Sequence, residues 1–394
     1  MGDGTTTPAV LLGGSTGPLA IARELSKRGV AVHLSLQKGR PELATRHATK
    51  KYPYNNRDTA AAVWSDLLLG EERQLQRAVI LPCDDDALEF VVQHHEQLAT
   101  THLLGRTQRE HLDAFLSKEK TARLAADTGI RLPRVWSIDA DLDVDALFAR
   151  EGTEILLKPI HSHRFQRAFG GGGRKHFVAH DRDQFRHAAA RLRDAEVGAI
   201  AMEMVPGPDA NSVTYYTFRG EGGRPLFEFC KQVLRRFPRN EGPGSLHVAS
   251  WDAEIGSLCR QLLDAVEFEG YANIEFKRDA RDGVPTLIEV NPRFTASQEL
   301  LVRCGIPAGW LVYQALTGGQ PQAPANEQTG LLFWDPARDL RAMREHRSKE
   351  GLTAWQCLRS LRGRRVLPLF HWTDPAPSLR RLLQLGSRAF RSHS

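Results

Sequence analysis

The chain has 394 residues, 41% hydrophobic and 25% charged, a length that supports two or three packed units rather than one core. No stretch approaches the ~18 uninterrupted apolar residues of a membrane span, and residues 1–8 lack the basic-then-apolar pattern of a secretory leader, so the expectation is a cytoplasmic protein. The net charge of +6 is uneven, because residues 331–394 carry 13 Lys/Arg against 5 Asp/Glu while the remainder is near neutral. Five cysteines without a CxxC pair argue against a disulfide framework or a zinc site.

Residues 9–12 form an apolar run that enters Gly13-Gly14-Ser15-Thr16-Gly17-Pro18, then a helical pattern over 19–28, then a β-rich stretch over 30–36. A second such unit starts at the apolar strand 78–82, turns at Cys83-Asp84-Asp85-Asp86 and continues into a helix over 87–98. Strand, turn, helix and strand in this order predict a parallel α/β unit. The glycine turn can present backbone N–H groups to an anion at a helix N-terminus, but it lacks GxGxxG spacing, and a simple tight turn competes with a ligand contact. Ser117 caps a predicted helix that stops near Gly129, and Pro133 opens extended chain, which marks a second domain.

Strands are predicted at 154–159, 199–205, 212–218 and 225–233, followed by a helix at 254–268. Lys158 ends the pattern Ile-Leu-Leu-Lys-Pro, where apolar neighbours bury its stem and leave the ammonium to meet an anion or to snorkel into water. Four glycines at 170–173, followed by Arg174-Lys175, cannot pack a core but can close over phosphates. His161 and His163 form an HxH pair with no acidic or cysteine partner nearby, which favours solvated loop histidines over a metal site.

The segment 270–293 reads as a hairpin with a charged turn at 279–283. Strand alternation places Glu289, Asn291 and Arg293 on one face, and cross-strand pairing can bring Glu275 beside Glu289. Two adjacent carboxylates repel unless a proton or cation bridges them, and Mg²⁺ accepts such ligands together with nucleotide phosphates.

Lys158, the glycine run, the strand ending in Pro206-Gly207-Pro208-Asp209 and the hairpin, in that order, resemble the ATP-grasp superfamily over residues 9–320. Within it the chain most resembles the bacterial group of predicted carboxylate–amine ligases or carboligases related to D-aspartate ligase and biotin carboxylase. Asp374-Pro375-Ala376-Pro377 is similar to the Asp-Pro-x-Pro element that often closes members of this group. The resemblance implies an α/β protein: a parallel, Rossmann-like pre-ATP-grasp domain (9–115), a small lid subdomain (116–205), a large subdomain with the metal site and antiparallel sheet (206–325), and a basic extension (326–394).

It also implies MgATP as cofactor, with Mn²⁺ as an alternative metal. The nucleotide site would comprise Lys118, Lys158, Gly171, Gly172, Lys175, Glu203, Met204, Val205 and Asp209, with lysines on the phosphates, the backbone around Glu203 and Val205 on adenine, either Met202 or Glu203 facing the base, and Asp209 on the ribose. Glu275, Glu289 and Asn291 would hold the metal and Arg293 would face the γ-phosphate. Lys231 or Arg235, with Arg235 preferred, would stand near the transferred phosphate. The implied reaction activates a small carboxylate as an acyl-phosphate and passes it to an amine. Carboxylation through carboxyphosphate and a non-catalytic nucleotide-binding protein are the alternatives. A homodimer is compatible with the resemblance, and nucleic acid is disfavoured as a partner. The amphipathic basic stretch 379–390 is expected to cover the core, with contact to an anionic membrane as the competing role.

Overall fold

A computed structural model describes residues 6–105, 107–116, 118–138, 142–151, 154–160, 165, 168–169, 176–324 and 328–391. The first unit contains β1 (Ala9–Leu12), α1 (Thr16–Ser26), β2 (Val32–Ser35), β3 (Lys50–Lys51), α2 (Arg57–Leu68), β4 (Val79–Pro82), α3 (Asp85–Gln93) and α4 (His95–Ala99). Its four strands are parallel in the order β3-β2-β1-β4, as the strand and helix pattern predicts. Apolar residues on both faces explain it, since a parallel sheet is covered on both sides. Local chemistry sets the helix starts: Asn56 and Thr59 form a capping box on α2, and the Asp84 carboxylate caps α3 by accepting from Ala87 N at 2.9 Å.

Helices α5 (Arg109–Leu116) and α6 (Lys118–Ala126) lead into β5 (Val135–Ser137), α7 (Val144–Glu151), β6 (Ile155–Pro159), β7 (Phe177–Ala179), α8 (Arg182–Asp194) and β8 (Ala199–Glu203). These strands form an antiparallel sheet of order β5-β8-β6-β7. The third sheet is built from β9 (Ser212–Arg219), β10 (Pro225–Arg236), β11 (Gly244–Ala249), β12 (Gly270–Arg278) and β13 (Pro285–Asn291), with α9 (Ala253–Ala265) on one face. After α10 (Gln298–Arg303) and α11 (Ala308–Leu316), the tail adds β14 (Leu332–Trp334), α12 (Pro336–Glu350), α13 (Ala354–Arg359), β15 (Arg365–Val366) and α14 (Ala376–Arg391). The sheet order is β13-β12-β9-β10-β11-β14-β15, so the tail completes the large sheet.

The two faces of this sheet differ. Val213, Tyr215, Ile274, Phe276 and Leu287 pack on Ile255, Cys259 and Leu262 of α9. The opposite face changes along its length: Tyr271, Phe218 and Phe227 pack with the first unit, and further along the same strands the side chains become Asn273, Glu275 and Lys277. The apolar half anchors the sheet and the polar half opens to the site.

Asp374, from the Asp-Pro-x-Pro element, is 1% exposed and joins the tail to α1. It accepts from Arg23 Nε at 2.9 Å, Thr45 Oγ1 at 2.8 Å and Arg46 N at 3.3 Å, while Arg23 Nη2 donates to Leu369 O at 2.8 Å. Burial pushes this carboxyl up, but the hydrogen bonds from Thr45 and Arg23 outweigh it and hold it below the usual range. Asp374→Ala leaves Arg23 buried without its main counter-charge. It is expected to cost about 3 kcal/mol, read as a lower urea midpoint for the first unfolding transition.

Candidate functional site

The site begins with a register. Glu275 pairs with Glu289 and Asn273 with Asn291 across the β12–β13 hairpin, and Glu275 pairs on its other side with Thr214. Thr214 in turn pairs with Lys231 of β10. Laterally paired residues share a face, so Glu289, Glu275, Thr214 and Lys231 form one row, with Asn291, Asn273 and Tyr216 in the next. Glu289 is exposed and Glu275 half-buried, so the carboxylates rim the open half of the face. Asn291 Nδ2 lies 3.3 Å from Glu289 Oε2 and 3.4 Å from Asn273 Oδ1, while Asn273 Nδ2 is buried without a partner.

Two guanidiniums flank the carboxylates. Arg293 Nη2 donates to Asn291 Oδ1 at 3.0 Å, and its Nε donates to Asp85 Oδ1 at 2.6 Å, which ties the hairpin end to the first turn of α3. On the other side, Arg236 Nη2 donates to Glu275 Oε1 at 2.8 Å. Lys231 Nζ donates to Ser297 Oγ at 2.7 Å, just ahead of α10. The glycine turn of the first unit is a turn held from within: Gly14 N donates to Asp84 Oδ2 at 2.6 Å, and a Cβ on Gly13 would meet that carboxylate at 2.3 Å.

Several expected residues sit elsewhere. Arg235 is a correction: its Nη2 and Nε donate to Asp339 of α12 at 2.8 and 2.9 Å, with both residues buried. Register shifts on either side of Arg235 interrupt the alternation that would have placed it in phase with Lys231, and Arg236 takes the site position. Asp209 is a second correction. It is 1% exposed, and its oxygens accept from Arg236 N and Asn240 N at 2.9 Å and lie 3.1 Å from His346 Nε2, so it braces the strand end and does not face a ribose. The Glu203 side chain is likewise committed, to Arg134 and Arg281. At that strand end Glu203 N donates to Arg134 O and Met204 N to Glu154 O, and Met204 and Val205 are buried. Lys158, the penultimate residue of β6, is half-buried. Lys118 opens α6, but its side chain, together with Gly171, Gly172, Lys175, His161 and His163, lies outside the described residues.

Sequence reasoning missed Arg236, Asn273, Ser297 and Lys277. Alternation signals Asn273 and Lys277, which stand two residues either side of Glu275. Lys277 Nζ donates to Asn240 Oδ1 at 3.1 Å, and burial, reinforced by Arg236, lowers it to about 8. No local signal marks Ser297, because its role depends on how α10 docks.

Among the described residues no group of three or more His, Cys, Asp or Glu side chains could hold a metal ion. The pair Glu275 and Glu289, with the Asn291 amide oxygen, is an all-oxygen set too small to satisfy a cation alone. That suits Mg²⁺, which keeps waters and takes its remaining ligands from substrate phosphates.

Residues 228–333 match the profile of a family described as "ATP-grasp in the biosynthetic pathway with Ter operon". A D-aspartate ligase of Enterococcus faecium (strain Aus0004) is 21% identical over 237 residues, 58% of this chain and 56% of that one, so the match spans little more than half of that relative's length. Among solved structures, L-amino acid ligase from Bacillus licheniformis has TM-score 0.56 and 17% identity over 80% of this chain and 75% of its own. The biotin carboxylase domain of the Hydrogenobacter thermophilus 2-oxoglutarate carboxylase, solved as a dimer with MgADP and bicarbonate, has TM-score 0.61 and 15% identity over 83% and 74%. The chain has the ATP-grasp fold, shared with the L-amino acid ligase and the biotin carboxylase domain. Its 228–333 segment, which holds Lys231, Arg236 and the whole hairpin, carries the likeness to the Ter-operon ATP-grasp family.

His346 of α12 bridges Asp209 and Glu350, at 3.1 and 2.9 Å, and is 2% exposed. Burial lowers its pKa, but the hydrogen bonds to Asp209 and Glu350 outweigh this and raise it above 6.5. A raised histidine stabilises fully below its unfolded value, and the gain is lost as pH rises through the folded value. His346→Gln should therefore cost about 1–3 kcal/mol near pH 6 and progressively less toward pH 9, measured as the gap between wild-type and variant urea midpoints.

Proposed function

We propose that this protein is an ATP-dependent ligase that activates a carboxylate as an acyl-phosphate and joins it to an amine, releasing ADP and phosphate. The row Glu289, Glu275, Thr214 and Lys231, with Arg293 and Arg236 at its flanks, carries this reading. It sets carboxylates for a cation beside fixed cations for phosphate, which is what in-line phosphoryl transfer from a nucleotide requires. The D-aspartate ligase and L-amino acid ligase likenesses favour an acid and an amine as substrates.

Glu275, Glu289 and Asn291 would hold Mg²⁺, which supplies charge neutralisation for the phosphates when bound. Arg293, fixed by Asp85 and Asn291, presents its guanidinium where the acid and the transferred phosphoryl group meet. Lys231, tethered by Ser297, neutralises the oxygens of that group from the opposite side. Arg236 donates to Glu275 and so offsets part of the repulsion between the paired carboxylates. The acid's carboxylate oxygen attacks the γ-phosphorus, the bond to the bridging oxygen breaks and ADP leaves. The amine then attacks the acyl carbon, loses a proton and expels phosphate. Lys158, Lys118 and the 170–175 loop would cover the nucleotide phosphates, and the β8 strand end would take the base. The domain division at 115, 205 and 325 fits this division of labour, and a homodimer is compatible with it.

Hydroxylamine intercepts an acyl-phosphate whatever the natural amine, so acid-dependent hydroxamate and ADP formation are expected with MgATP. Glu289→Gln, an exposed position, should leave the thermal midpoint within about 1 °C. The same change should weaken Mn²⁺ binding in the presence of ADP by about 10–100-fold and abolish hydroxamate formation. Lys158→Ala should remove the rise in Tm produced by MgATP, and an unchanged rise would sink its phosphate role.

A further inference from the structure

The amphipathic stretch expected to cover the core sits the other way round. Helix α14 packs against the 3-10 turn Pro41–Ala44, and Gln384 Nε2 donates to Gly39 O at 2.7 Å just ahead of that turn. The shielded residues of the helix are Pro377, Ser378, Arg381, Gln384 and Leu385. Leu379, Leu382 and Leu383, by contrast, are 57%, 63% and 76% exposed.

Spaced at i, i+3 and i+4, these leucines share one side of the helix. Gly386 follows in the same period, with open space where a Cβ would stand. The result is an apolar stripe directed to solvent, away from the side that carries Arg381 and Gln384. Trp372, just ahead of the helix, is 84% exposed. The clasp of Asp374 on Arg23 fixes the start of the helix, so the stripe is held in this orientation.

Leucines gathered on adjacent turns and left in water mark a binding surface. The charges beside them decide its occupant. From Pro375 to Ser394 the chain has four arginines and no Asp or Glu. Arg380 is exposed on the flank of the stripe. If a second copy laid the same helix on this one, arginines would meet arginines with no carboxylate from either helix to answer them. Anionic phosphates lying above hydrocarbon answer both features at once, because the leucines leave water while the guanidiniums stay at the level of the phosphates.

We propose that α14 docks this protein on an anionic lipid surface, lying in the plane of the bilayer with Leu379, Leu382 and Leu383 entering the acyl boundary and Arg380 on the lipid phosphates. The helix lies on the membrane and does not span it: 16 residues with this many arginines are too short and too polar to cross. The assignment comes from the surface of α14 itself, and the relatives described above lend it nothing. Lys231, Arg293 and the carboxylate pair take no part, so it stands apart from the ligase reading.

The test is co-sedimentation of the full chain with vesicles of equal parts phosphatidylglycerol and phosphatidylcholine, and with phosphatidylcholine alone. Wild type is compared with Leu382→Ser/Leu383→Ser and with Arg380→Gln. The expected result is binding to the anionic vesicles only, weakened about tenfold or more by the leucine double change. Arg380→Gln and added salt should each weaken it severalfold. Equal binding of wild type and the leucine variant overturns the proposal, as does equal binding to the two kinds of vesicle. Because the leucines face solvent, the double change should leave the thermal midpoint within about 1 °C. A lower midpoint would mean that they pack on protein, and it too overturns the proposal. Sedimentation velocity without lipid separates the remaining occupant: a dimer of wild type that the leucine variant dissolves assigns the stripe to a second copy and strikes the lipid role.

Discussion

The pairing of Glu275 with Glu289 governs the architecture around it. Two carboxylates opposite each other on an antiparallel ladder are unfavourable in isolation, and the fold tolerates them because Arg236 and Arg293 approach from opposite sides. Each arginine is itself fixed by another part of the chain: Arg236 by Asp209 in the turn that enters β9, Arg293 by Asp85 in the first parallel unit. The paired carboxylates thus stand beside two guanidiniums, one anchored in the turn that enters the large sheet and one in the first parallel unit.

The tail extends this arrangement and does not merely decorate it. β14 and β15 complete the large sheet, Asp339 takes Arg235, and His346 backs Asp209. Asp374 then closes the chain on Arg23, which also lies 3.7 Å from Glu299 of α10, two residues beyond the serine that holds Lys231. Tail, first helix and site loop thus share one buried ionic junction. Such junctions contribute little net stability but fix relative geometry, because any alternative packing strands a charge. The α14 helix belongs to this closure: it packs on the 3-10 turn, and the relatives lend no support to a membrane role for it. No helix among the described residues is long and apolar enough to cross a membrane.

Much of this was legible in the sequence where a rule of period two or a cap applied. The strand at 79–82 and the hairpin register follow from alternation, the start of α3 at Asp84 from local side-chain chemistry, and the Glu275–Glu289 pairing from the hairpin register. Arg235 was misread for a physical reason. Register shifts flank it, and a one-residue irregularity reverses the face of everything beyond. Asp209 was misread because its sequence neighbourhood describes a strand end but not what packs behind it. His346, more than a hundred residues away, carries that information.

The misreadings share a direction that bears on how the site discriminates. Glu203 and Asp209, the acidic side chains expected to read the nucleotide, are consumed by Arg134, Arg281, Arg236 and His346. Lys277 stands instead buried on the same face as Glu275, held by Asn240 in the loop that Asp209 anchors. A nucleotide bound here would meet backbone groups and a lysine of lowered basicity, and fewer acidic side chains than the pattern suggests. On the ligase reading, specificity for the acid would fall to Lys231 and Arg293, which are fixed by Ser297 and Asp85. Along the hairpin the polar face runs from Lys277 through the paired carboxylates Glu275 and Glu289 to Asn273, Asn291 and Arg293, and any ligand on it must answer to that alternation of charge.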